Sequence, residues 1–188
     1  MRLTLPLFLT LMRVAAIPVV LALFLVAFPY SRQIATVVYA AACITDWFDG
    51  WLARRWGQTS KFGAFLDPVA DKLLVAVCLV MLLHVQTQPD GVLAVLVAII
   101  IGREITISAL REWMAELGSR ANVAVSWIGK LKTAFQMFAI GMMIWGIPTF
   151  GLPWYQLGYA LLFVAAALTI WSMVIYLRAA WPMMKESA

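Results

Sequence analysis

Six apolar runs, each about as long as a bilayer is thick, follow one another along this chain with only short polar breaks between them. They cover roughly residues 12 to 29, 33 to 55, 64 to 87, 91 to 116, 122 to 147 and 154 to 180. A membrane-crossing helix needs about 20 mostly apolar residues, so each run reads as one span. Composition agrees: 64% of the 188 residues are hydrophobic and 12% charged, against about 25% charged in a soluble domain. The expected fold is all-α, with six transmembrane helices behind an interfacial lead-in over residues 1 to 11. A single integral-membrane domain over residues 1 to 188 leaves no length for a soluble one. Arg2 and Arg13 bracket a short apolar stretch that runs straight into a longer one, so no cleavable leader is expected.

Charge is informative here by its placement. The net charge is +5, from 14 basic and 9 acidic residues. The connections Tyr30 to Arg32, Gln88 to Gly91 and Pro148 to Pro153 hold one basic residue, Arg32. Arg54, Arg55, Lys61, Arg111, Arg120, Lys130, Lys132, Arg178 and Lys185 fall at the opposite ends of the runs. By the positive-inside rule both termini are cytoplasmic. Nucleic acid is a poor match as a partner. Cys43 and Cys78 lie in apolar runs without CxxC spacing and read as packing residues.

Four of the five aspartates fall between positions 46 and 71, inside segments that enter the membrane. An ionisable group at membrane depth costs several kcal/mol and is a functional-site candidate by default. On a helix, Asp46, Asp49, Gly50 and Ala53 stand at i, i+3, i+4 and i+7, along one face. Gly63, Asp67 and Asp71 repeat every four residues on the next helix. Pro68 either opens that helix with Asp67 as its N-cap or kinks a helix begun earlier. A short loop makes the two segments antiparallel neighbours, and both stripes lie toward the same end. The four carboxylates can therefore share one pocket.

Carboxylates without histidine or cysteine favour a hard cation such as Mg2+ or Mn2+, and four negative charges match two divalent ions. Two metals about 4 Å apart suit in-line displacement at phosphorus. Small residues at Gly50, Ala53, Gly63 and Ala64 leave room for a bulky substrate. Two other readings explain part of the pattern: packing ion pairs from Arg54, Arg55 and Lys72, and the ion site of a cation-coupled transporter. His84 lies 13 residues beyond Asp71, about 20 Å along a helix, and is too distant to join the acids.

Written out, residues 46 to 71 read D-x2-D-G-x2-A-R-x8-G-x3-D-x3-D. This resembles the signature of the CDP-alcohol phosphatidyltransferases, and the likeness extends over the six-span chain. It implies CDP-diacylglycerol as donor, attack of an alcohol on its β-phosphorus, and departure of CMP. Carried over by position, Asp46, Asp49, Asp67 and Asp71 are metal ligands, and Asp71 is also the base on the acceptor hydroxyl. Gly50, Arg54 and Ser60 correspond to positions that contact the CDP portion. A homodimer in the bacterial inner membrane, with its site toward the cytoplasm, is implied as well.

The stretches Gly102-Arg103-Glu104, Arg111 to Gly118 and Ser126 to Thr133 look like the phosphatidylglycerophosphate synthase branch of that family. That resemblance implies sn-glycerol 3-phosphate as acceptor, with inositol phosphate, serine or phosphatidylglycerol as alternatives. A phosphate-bearing acceptor calls for cations. Arg103 and Arg111, about two turns apart, project to similar sides, and Lys130 shares a face with Ser126 and Thr133. Lys132 points roughly opposite, toward headgroups or water. Pro6, Thr10 and Arg13 fit the family's opening pattern, with Leu7 where asparagine is common.

Overall fold

A computed structural model describes residues 5–26, 28–56, 61–116 and 127–186. Among these, six helices follow in chain order: α1 Leu5–Leu25, α2 Ser31–Trp56, α3 Lys61–His84, α4 Gly91–Glu116, α5 Trp127–Trp145 and α6 Trp154–Glu186. The described residues form no strand; an isolated bridge pairs Thr149 with Leu152. Three helices are long and apolar enough to cross a membrane by composition: Leu7–Leu25, Gly91–Met114 and Trp154–Arg178. α2 and α3 carry the aspartates and several basic residues, and the apolar part of α5 is short, Leu131–Trp145. The six expected helices are present, and the polar load of the chain is concentrated in a subset of them.

The first boundary differs from expectation. Residues 5 to 11, read as a lead-in, are the opening turns of α1 and continue unbroken through Pro18 to Leu25. Thr10 and Leu7 are buried with Arg13, Val20 and Phe24 on one stripe, while Phe8, Leu11, Met12 and Val19 point outward. An outward apolar face is what lipid requires of a helix whose other face is covered by protein. Pro68 lies well inside α3, which begins at Lys61, so this helix starts before the proline and accommodates it.

Two compact units make up the chain. The first comprises Met1–Pro89 and Ile140–Gly158, and in it α1 packs against both α2 and α3. Ala35, Tyr39 and Ala42 on α2, and Ala70, Leu74, Cys78 and Leu82 on α3, form its buried rows at three- and four-residue intervals. Small residues in these rows let helices approach closely where no hydrophobic effect pulls them together.

The end of α5 shows how tightly polar groups are accounted for in this unit. The Gly146 amide donates to Met142 O at 3.2 Å, with φ of 70° at Gly146, as in an αL C-cap. Arg32 donates through Nη2 to Met143 O at 2.7 Å and through Nε to Ile144 O at 3.1 Å. The Ile147 amide takes Trp145 O at 2.9 Å. All four terminal carbonyls are thus occupied, and the cation sits at the negative end of the helix dipole. The one basic residue expected among the outer connections is a helix cap.

The second unit comprises Asp90–Ala139 and Tyr159–Ala188. Asp90 is the N-cap of α4: its Oδ1 accepts from the Leu93 amide at 2.9 Å and from the Tyr159 hydroxyl at 3.1 Å. Leu93, Leu96, Ile100 and Ile107 on α4, with Leu162, Ala165 and Ala166 on α6, supply its apolar core.

A β-carbon at Gly146 would meet the Arg32 guanidinium at 2.7 Å. Arg32→Ala is expected to lower stability by about 2 kcal/mol, the value of hydrogen bonds to a charged group. Gly146→Ala should cost about 1 to 2 kcal/mol through its positive φ, plus displacement of Arg32. In the Arg32→Ala background only the φ cost should remain, so a double-mutant cycle on thermal unfolding in detergent should show less than additive loss.

Candidate active site

α1, α2 and α3 bring three of the four motif aspartates to one locality. Asp46 stands on α2 one turn beyond Cys43 and two turns beyond Tyr39, which hydrogen-bonds Cys43. Cys43 lies within electrostatic reach of Asp71, Asp46 and Arg13, and Asp46 within reach of Asp67. The expectation that carboxylates from α2 and α3 draw together holds for Asp46, Asp67 and Asp71. The side chains of Asp49, Gly50 and Arg54, and the whole of Ser60, lie outside the described residues.

Two contacts from α1 reach this group. Arg13 places Nη1 2.8 Å from Asp46 Oδ1; the arginine is 1% exposed and the aspartate 37%. Thr10, also 1% exposed, donates its hydroxyl to Asp67 Oδ1. A guanidinium this deep in an apolar helix requires a counter-charge, and the counter-charge here is a motif carboxylate. The partner of Asp46 is thus an arginine of α1, which sequence spacing did not single out. What could have pointed to it is its type: Thr10 and Arg13 sit at i and i+3, interrupting an otherwise apolar helix.

Among the described residues no three His, Cys, Asp or Glu side chains stand close enough to hold a metal between them. The donor set is nonetheless all oxygen, and Asp46 and Asp67 lie within electrostatic reach of each other. This is the donor chemistry of a hard divalent cation. His84 ends α3 and is exposed, about 20 Å from Asp71 along the helix axis, which keeps imidazole out of the group.

The second unit holds another polar cluster, entirely on α4, α5 and α6. Arg103 donates to Glu104 Oε1 at 3.0 Å and to Ser172 Oγ at 3.1 Å. Lys132 donates to the same Glu104 oxygen at 2.5 Å. Arg103 and Arg111 both lie over the Tyr176 ring, at 5.9 and 5.2 Å from its centroid, and Arg111 donates to the Tyr176 hydroxyl at 2.9 Å. The two arginines do project to similar sides. Lys132 does not face headgroups or water: it is 3% exposed. The helical wheel of α5 carries no information about which face α4 covers, and Glu104 of α4 claims the lysine. The side chain of Lys130 lies outside the described residues.

A profile of the CDP-alcohol phosphatidyltransferase family matches residues 3–171. The chain belongs to the CDP-alcohol phosphatidyltransferase family. Relatives named "CDP-diacylglycerol--glycerol-3-phosphate 3-phosphatidyltransferase" include those of Salmonella choleraesuis and Escherichia coli K12. Each is 50% identical over 181 residues, covering 96% of both chains. A relative of that name from Shigella flexneri serotype 5b is 49% identical over 180 residues, again with 96% of each chain covered. In this CDP-alcohol phosphatidyltransferase, the α1 contacts and the Glu104–Lys132 pair are the polar features that spacing alone did not reveal.

Glu104→Gln leaves two cations without their shared carboxylate. Its expected cost is about 2 to 3 kcal/mol, toward the low end for breaking a buried pair, because Glu104 keeps 25% exposure. Combining it with Lys132→Met should cost less than the sum of the single changes. Thermal unfolding of the four proteins in detergent measures the coupling.

Proposed function

We propose that this chain transfers the phosphatidyl group of CDP-diacylglycerol to sn-glycerol 3-phosphate, giving phosphatidylglycerophosphate and CMP in anionic phospholipid synthesis. The observation that carries the proposal is the gathering of Asp46, Asp67 and Asp71 at one locality, in a chain 50% identical to enzymes named for that transfer. Bacterial cytoplasmic membrane, both termini and the acidic site toward the cytoplasm, and a homodimer belong to the same reading. The distribution of basic residues supports the orientation.

Asp46, Asp49, Asp67 and Asp71 are the residues proposed to hold Mg2+ or Mn2+. Bound there, a pair of such ions would neutralise the diphosphate and make its phosphorus more electrophilic. Asp71 takes the proton of the acceptor hydroxyl as that oxygen bonds to the β-phosphorus. The bond from this phosphorus to the bridging oxygen breaks, and that oxygen leaves with CMP. Arg13, held on the buried side of Asp46, offsets part of the negative charge that the acids and the diphosphate bring together.

Gly50, Arg54 and Ser60 are assigned to the CDP portion: glycine permits close approach, and the planar guanidinium suits phosphate oxygens. Arg103, Arg111 and Lys130 are assigned to the phosphate of the acceptor, and Lys132 joins them. Arg103 and Lys132 share one carboxylate, which leaves an excess positive charge. The buried Nε of Arg103 has no hydrogen-bond partner among the described residues, so donor capacity remains for an anion.

Purified protein supplied with CDP-diacylglycerol, Mg2+ and a panel of alcohols should release CMP with glycerol 3-phosphate and little with inositol phosphate, serine or phosphatidylglycerol. No product with glycerol 3-phosphate would sink the assignment of acceptor. Asp71→Asn should lower turnover at least about a hundredfold, the usual contribution of a general base, with an unchanged unfolding midpoint; wild-type turnover would remove Asp71 from the role. Transfer is direct, within a ternary complex, and forms no covalent intermediate on the enzyme. Labelled CMP should therefore fail to exchange into CDP-diacylglycerol when no acceptor is present.

A further inference from the structure

α1 contributes no carboxylate to the acidic motif, yet two of its side chains end on that motif. Thr10 and Arg13 stand three residues apart, on one face, and both are 1% exposed. Thr10 reaches Asp67 on α3, and Arg13 reaches Asp46 on α2 at 2.8 Å. One turn of α1 therefore touches one acid from each half of the motif.

Each contact is chemically selective. An arginine that merely anchors a helix to the membrane surface extends its head into water; Arg13 is enclosed instead. A helical threonine commonly turns its hydroxyl back to its own i−4 carbonyl. Thr10 donates to Asp67, an acid on another helix and 57 positions away. Asp46 and Asp67 repel each other, so unbraced carboxylates would swing apart to other rotamers. A cation against one and a donor against the other hold them in place. Both contacts engage Oδ1, and a carboxylate has a second oxygen with which to bind a metal.

We propose that Thr10 and Arg13 are positioning residues that brace Asp67 and Asp46, pre-arranging carboxylates from both helices for a divalent cation. The proposal rests on the reading of the aspartates as metal ligands. Supporting groups behind metal ligands typically contribute 10- to 100-fold in metal affinity. This range sets the expected effect.

The probe is Mn2+ alone, titrated into the full chain in detergent and followed by electron paramagnetic resonance, without substrates. Thr10→Val and Thr10→Ala should each weaken Mn2+ binding about tenfold, and Thr10→Ser should restore it to within about threefold. Arg13→Lys, which keeps the charge but not the fork, should fall between wild type and Thr10→Ala. The Mn2+ concentration for half-maximal CMP release should rise in parallel, with turnover recovering at saturating metal. A purely structural role would lower the unfolding midpoint and leave both Mn2+ curves where they are.

Wild-type Mn2+ affinity in folded Thr10→Val and Thr10→Ala overturns the proposal. Asp46→Asn separates the two levels of inference. If it abolishes Mn2+ binding while the Thr10 variants bind normally, the bracing role fails and the metal site stands. If Asp46→Asn itself binds Mn2+ as wild type does, the metal reading fails and the bracing proposal with it.

Discussion

A charged side chain among apolar helices has no water to turn to, and every such group in this protein has to be answered by another group of the protein. Arg13 is answered by Asp46, Lys132 and Arg103 by Glu104, and the carbonyls at the end of α5 by Arg32 and Gly146. These pairings join separate helices: α1 to α2, α4 to α5 and α2 to α5. They impose register on elements whose apolar faces would otherwise slide past one another with little cost.

The same demand shapes the acidic site. Replacing a buried ion pair by apolar residues often leaves stability unchanged or improved, so pairs of this kind need a reason beyond folding. Asp46 is 37% exposed while its partner Arg13 is 1% exposed. The acid thus opens outward and the arginine backs it, an asymmetry suited to a carboxylate that must bind something else. Glu104 shows the reverse balance, one carboxylate serving two cations, and the surplus there is positive. The excess charge is thus a property of each side-chain cluster: negative where Asp46, Asp67 and Asp71 outnumber Arg13, positive where Arg103 and Lys132 share Glu104.

Much of this was legible along the chain. Six helices follow from apolar runs and their breaks, because a run of about 20 apolar residues has few other fates. The four aspartates declared themselves by type and period, and three of them do draw together. Arg103 and Arg111 were placed on one side of α4 by helical spacing alone, and both lie over Tyr176. Lys132 was misplaced because a helical wheel describes one helix and burial depends on its neighbour. Residues 5 to 11 were read as part of an interfacial lead-in, and a polar residue such as Thr10 lowers the hydropathy there whether it faces water or an acid on another helix.

What the sequence by itself determined is therefore what depends on local order: helix positions, the shared face of Asp46, Asp49, Gly50 and Ala53, the stripe of Gly63, Asp67 and Asp71, and the family they identify. The tertiary structure alone decided which charges meet. Arg13 and Asp46 are 33 positions apart, Thr10 and Asp67 57, and no periodicity within one helix can report a contact made to another. Such contacts arise when whole helices pack, and in a medium without water the pairing of their polar groups then settles how they pack.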